Sequence, residues 1–278
     1  MEPTLGNIER ISQYLTEAET VEDTARSKLS EAQECRRFWT KLNEQLHLER
    51  PAAALLTSRT DGAKLIDGGL VDRPVATLIA SIRDECEAAA SQTARAFGRS
   101  FPDAVRNMGI EIDSTSRHPK YTVKQGFIEI AVDERNYTAI VTPRDGNKIT
   151  MGLDVNPIVA ALKEEVDRLF GRRYPSKWPS EFLRTLFNAY TAVLRSEQRS
   201  PGEDIPLRRV TNRLSKNLNK FAPDEFNVDL AEVIKRDLLK YKDHKIELQH
   251  TRHPRQGMLL HGLEDGGYLG FISFKKGN

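Results

Sequence analysis

Two cysteines in 278 residues, Cys35 and Cys86, are too few for a disulfide framework or a cysteine-built zinc site. A reducing compartment would leave both as thiols. No apolar run approaches the ~20 residues that a membrane-spanning helix needs, and Met1-Glu2-Pro3-Thr4 lacks the basic and apolar regions of a signal peptide. The expectation is a cytoplasmic protein without membrane contact. Catalytic signatures are missing too: there is no Gly-x-x-x-x-Gly-Lys-Ser/Thr phosphate loop and no Gly-x-Ser-x-Gly elbow. His118-Pro119-Lys120 begins like a phosphodiesterase His-x-Lys signature, but Gln125 stands where that chemistry needs an aspartate. Glu129-Ile130-Ala131 lacks the lysine of a nuclease Glu-x-Lys. These gaps predict a non-enzymatic protein with no cofactor and no small-molecule substrate.

A strong net charge is also lacking, since 42 basic and 40 acidic residues leave +2. Its distribution is uneven. Met1 to Arg50 holds 10 acidic and 7 basic residues, whereas Ile205 to Asn278 holds 9 acidic and 14 basic. The basic excess at the carboxy-terminal end favours an anionic partner there.

What is present first is a long helical pattern from Thr4 to Leu46. Steps of three and four residues select Ile8, Ile11, Leu15, Ala18, Glu22, Ala25, Leu29, Ala32, Arg36, Trp39, Asn43 and Leu46, nine of them apolar. A sustained 3.5-residue period marks a coiled-coil seam or one face of a helical hairpin. Pro51 to Pro74 reads as a connecting segment with room for a short helix near Ala52 to Leu56. A second helix follows to Phe101, and the simplest arrangement is an antiparallel pair. The period then changes. Phe127 to Asp133, Tyr137 to Thr142 and Lys148 to Leu153 alternate apolar and polar residues around turn sequences, which predicts a three-stranded meander. Helices at 156–170 and 181–195 should cover it, the second also serving the carboxy-terminal core.

From Ile205 the order is a short strand, a helix to Lys220, a second helix from Phe226 to Lys240, and a β-hairpin. With the helix at 181–195 in front, this succession resembles a winged-helix module. The expected fold is therefore α+β and mostly helical: a coiled-coil-like helical hairpin (1–110), a small antiparallel meander with a helix (111–175), and a winged-helix-like module (176–278).

The resemblance implies a DNA interface in which the second helix enters the major groove and the wing reaches the backbone. Candidate nucleic-acid or anion-binding residues are Arg208, Arg209, Arg213, Lys216, Lys235, Arg236, Lys240, Arg252 and Arg255, with Asn212 and Asn227 as candidate base readers. Asp229, Glu232 and Asp237 on the same helix would repel phosphates. His250, His253 and His261 are the candidate metal ligands, without a recognised ligand spacing, and an anion-binding wing tip is the competing interpretation of that segment. Protein partner subunits or a homodimer would use the amino-terminal helices. In layout the chain resembles kleisin-like accessory chains that bridge SMC-type ATPases, including those of anti-phage and anti-plasmid systems, although a folded meander replaces their extended linker. A dimeric transcriptional regulator is the further alternative.

Overall fold

The first helix, α1 (Leu5–His47), runs through the whole stretch of 3.5-residue periodicity. The computed structural model describes residues 5–253, 257–260 and 268–277. These fall into two units, Met1–Arg95 with Gly152–Asp154, and Ala96–Met151 with Val155–Asn278.

In the first unit the expected connector is helical almost throughout: α2 (Pro51–Thr57), a π-helical turn (Ser58–Gly62) and α3 (Ala63–Asp67) precede α4 (Arg73–Asn107). The Asp61-Gly62 and Asp67-Gly68-Gly69 pairs suggest loops, but Gly62 has another use. A Cβ there would lie 3.1 Å from Ile79 and 3.2 Å from Phe38, so the glycine lets the turn sit between α1 and α4. The two long helices are consequently spaced by this segment, and α1 packs on α2 and the turn. Phe38 and Leu42 of α1, Leu55 of α2, Leu65 of α3 and Ile79 of α4 are buried in this small core.

The start of α2 has no side-chain cap of its own. The buried Asp154 supplies one from a distance, accepting hydrogen bonds from the Ala52 and Ala53 backbone amides at 3.1 and 2.7 Å. This satisfies amide groups that the first turn of a helix leaves without partners. Burial pushes the Asp154 carboxyl up, and those two amides pull the other way. Gly152 permits the close approach, because a Cβ there would fall 2.3 Å from the Ala53 nitrogen.

The second unit begins with the last turns of α4 and a four-stranded sheet in the order β1 (Lys120–Val123), β2 (Ile128–Asp133), β3 (Thr138–Pro143), β4 (Ile149–Gly152). The meander read as three strands thus has a fourth, β1, which pairs antiparallel with β2. Tyr121 and Val123 of β1 face inward with Ile128, Ile130, Ala139 and Val141. Two elements meet this face: Phe101 of α4 lies 4.9 Å from the Tyr121 ring, and α5 (Val155–Phe170) brings Phe170 to 5.5 Å from Phe127.

The helix expected to share in this cover, α6 (Trp178–Ser196), instead turns its apolar side to a separate core. That core joins Leu186 and Tyr190 of α6, Ile205 of β5 (Ile205–Pro206), Val210 and Leu214 of α7 (Leu207–Asn217) and Leu230 of α8 (Pro223–Lys235). It is closed by β6 (Lys240–Tyr241), β7 (His244–Thr251), β8 (Met258–Leu259) and β9 (Tyr268–Lys276). The strands run β5-β9-β7-β6, with β8 beside β9. The chain is thus a mixed helix-and-sheet protein with a long amino-terminal helix and antiparallel sheets. No helix among the described residues is long and apolar enough to cross a membrane.

Helix α8 stops five residues short of the expected Lys240. Asp237 takes φ +54° and donates to the Ile234 carbonyl, while the Leu238 amide donates to the Val233 carbonyl. This is the Schellman stop, formed here on an aspartate where glycine is usual.

Replacing Asp154 by alanine should lower the unfolding free energy by about 2 kcal/mol, since two buried amides lose their acceptor. Urea titration measures it, and an unchanged midpoint would show that the cap contributes nothing.

Candidate functional site

The sequence singles out α8 as the groove-reading helix, and its surroundings decide whether it is free to act so. Asp224, Asn227 and Asp229 are all buried. Their partners come from the loop and helix before α6. Arg168 of α5 reaches Glu165, Asp224 and Glu225, with 3.0 Å to the last. Arg172, just beyond α5, lies 2.9 Å from Asp229 and 3.4 Å from Glu225. Asn227 is fully buried and donates to Asp145 of the β3–β4 turn at 3.1 Å, and the same carboxylate is 3.5 Å from Arg208. Asn227 is therefore unavailable to a base edge. Even the turn's Gly146 is a fitted position, because a Cβ would fall 2.6 Å from an Asp224 oxygen.

The electrostatics follow from burial. Desolvation opposes the Arg168 charge, but hydrogen bonds to Glu165 and Asp224 more than offset it and raise its pKa. Burial and the nearby Asp229 push the Tyr174 hydroxyl up. Asp229 itself is pushed up to about 6 by burial, against the pull of Arg172 and of the Tyr174 hydrogen bond. The joint holds α8 by its polar side and leaves it without an open reading face.

The cations named from the sequence divide into several groups. Arg209, Arg213 and Lys216 occupy positions i, i+4 and i+7 of α7 and so share one face. Arg209 pairs with Glu197 and holds that carboxyl below its ordinary value, with Arg199 adding to the effect. Arg213 is half-buried and its Nε has no hydrogen-bond partner among the described residues, whereas Lys216 is exposed. Arg208 is turned aside to Asp145. Lys235 and Arg236 sit exposed at the end of α8, the latter bonded to Glu232 and 5.3 Å above the Tyr174 ring. Lys240 is exposed on the edge strand β6, and Arg252 is exposed just after β7. Asn212 is exposed on α7. Arg255 and His261 lie outside the described residues. His250 and His253 are exposed, and among the described residues no three His, Cys, Asp or Glu side chains gather as a metal site would require.

The residues that sequence reasoning missed are Arg168, Arg172 and Asp145. Each acts on α8 across at least 56 residues of chain, and no local pattern marks it. Compared with known proteins, the chain matches no family model, no curated protein and no solved structure.

Asp229 yields a pH test. Its folded value of about 6 lies above the ordinary ~3.9 of an aspartate, so its contribution to stability is full below that ordinary value and is lost as pH rises through 6. The stability of the natural chain relative to Asp229→Asn should fall by about 2 to 3 kcal/mol between pH 4 and pH 7. Parallel urea curves for the two chains across that range would contradict it.

Proposed function

We propose that this chain is a non-enzymatic accessory protein that docks DNA through a winged-helix-like carboxy-terminal module and assembles with other subunits through α1. The observation that carries the docking half is the connectivity. Three helices with a short strand after the first, followed by a hairpin whose second strand lies between its mate and that short strand, support a winged-helix reading of the module. The basic face of α7 adds charge of the sign a phosphate backbone requires.

The joint at α8 decides how the module would bind. A recognition helix inserted in the major groove needs exposed side chains along its length, and here the polar side of α8 is consumed by Arg168, Arg172 and Asp145. Contact is therefore assigned to Arg209, Arg213 and Lys216 on α7, with Arg252 at the base of the wing. Such contacts neutralise phosphates and carry little sequence information. Binding should be salt-sensitive and nearly indifferent to sequence, which sets this protein apart from a regulator of palindromic sites.

The assembly half rests on α1, whose residues 12–34 are exposed on every side. An isolated helix gains little from propensity alone, and most helical stability in proteins comes from packing of an apolar face.

Fluorescence anisotropy with a short random-sequence duplex across a salt series tests the docking half. Replacing Arg209, Arg213 and Lys216 together by alanine should weaken binding and reduce the slope of log affinity against log salt by about three, near one per phosphate contact. Equal slopes in the two chains, or no binding by the natural chain at low salt, would overturn the DNA assignment.

A further inference from the structure

We infer that α1 pairs with α1 of a second copy of this chain, and that the two helices run antiparallel about a twofold axis between Leu29 and Ala32. This rests on the assembly half of the function proposed above and specifies its partner.

The first observation is which face of α1 the protein's own core uses. Phe38 and Leu42 are buried against α2 and the π-helical turn. The apolar stripe runs through Leu15 and Leu29, which lie roughly 140–180° around the helix from those two, and comes to the edge of the anchored face only at Leu46, one turn after Leu42. Leu15 is 57%, Leu29 60% and Leu46 42% exposed. Arg36 and Asn43 of the same stripe are exposed as well, and Trp39 is half-buried. The stripe therefore stays open along α1 even where the helix is anchored. From Leu15 to Leu46 it spans roughly 46 Å, more than four heptads.

The second observation is the order of residues along that stripe. Parallel helices in register stack each seam residue on its own copy. Trp39 would then meet Trp39, Ala18, Ala25 and Ala32 would meet themselves and leave gaps, and Glu22 and Arg36 would each face a like charge. Antiparallel helices instead alternate the two seam positions. With the axis between Leu29 and Ala32, the layers become Leu29 with Ala32, Arg36 with Ala25, Trp39 with Glu22, Asn43 with Ala18, and Leu46 with Leu15. Each bulky group except the terminal leucines then meets a smaller or slimmer one, as interdigitated packing needs. Glu22 and the partner's Arg36 fall in adjacent layers, where opposite charges attract.

Charge along the helix makes the same choice. Residues 9–23 carry five acidic side chains and one basic, and residues 26–41 carry five basic and two acidic. About this axis Arg36, Arg37 and Lys41 of one helix fall level with residues 25, 24 and 20 of the other, within a turn of Glu19, Glu22 and Asp23. Parallel pairing sets like against like, which disfavours it.

Single-cysteine cross-linking in a Cys35→Ser, Cys86→Ala background, with a short bismaleimide, tests the arrangement. Sedimentation of the natural chain gives its oligomeric state independently of any variant. Leu29→Cys lies near the axis and should cross-link to its own copy. Leu15→Cys alone should not, because the two copies would be about 46 Å apart; a mixture of Leu15→Cys and Leu46→Cys chains should. Efficient cross-linking of Leu15→Cys alone, in a dimer, would keep assembly through α1 and overturn the antiparallel pairing. A monomer in sedimentation would overturn self-pairing altogether, while the salt titration reports separately on the carboxy-terminal module.

Discussion

Three carboxylates on α8 govern the carboxy-terminal half of the protein. Asp224 and Asp229 are buried, Glu225 lies partly so, and each needs a cation to offset the loss of water. Arg168 and Arg172 supply it from α5 and the residues just beyond it. Because α5 also covers the four-stranded sheet, the same two arginines tie that sheet layer to the helical core that follows. Removing one member of a buried pair typically costs 3–5 kcal/mol, through the charge left behind. The joint is thus held by the penalty of separating it, and it fixes what α8 can present to a partner.

That constraint separates two features that the sequence presents as one. Basic residues on α7 and α8 read together as a single cationic surface, but α8 contributes only its terminal Lys235 and Arg236, while its middle turns inward. Helix α7 keeps Arg209, Arg213 and Lys216 on one face. On the DNA-docking proposal, these three would meet phosphates, contacts that carry little sequence information. At the other end of the chain, α1 is anchored by Phe38 and Leu42, and its residues 12–34 stay exposed.

Much of the element order was legible because it rests on local periodicity. Helix α1, strands β2 and β3, and helices α5, α6 and α7 all follow from the spacing of apolar residues and from Pro or Gly at their ends. The rest depends on contacts or on backbone geometry with no local marker. Beyond the short helix expected near Ala52 to Leu56, the stretch to Pro74 looks like a connector because of Gly62, Gly68 and Gly69, yet Gly62 is there for close packing against Phe38 and Ile79. Strand β1 is only four residues long and is legible mainly from the sheet it joins. The apolar spacing carries α8 on to Lys240, but the helix ends at Lys235 because Asp237 takes a left-handed conformation that usually announces itself as glycine. In the candidate site, Asp229 read as a phosphate-repelling surface charge. Its partner Arg172 is 57 residues earlier, and only the fold brings the two together.

Amide hydrogen exchange with and without a duplex gives the most direct test of the proposal that the carboxy-terminal module docks DNA by α7 and the segment around Arg252 while α8 stays locked. Slower exchange on DNA addition over 207–217 and around Arg252, with 223–235 unchanged, is the expected result. New protection concentrated in 223–235 would show that the helix leaves its arginines to enter the groove, and would contradict it.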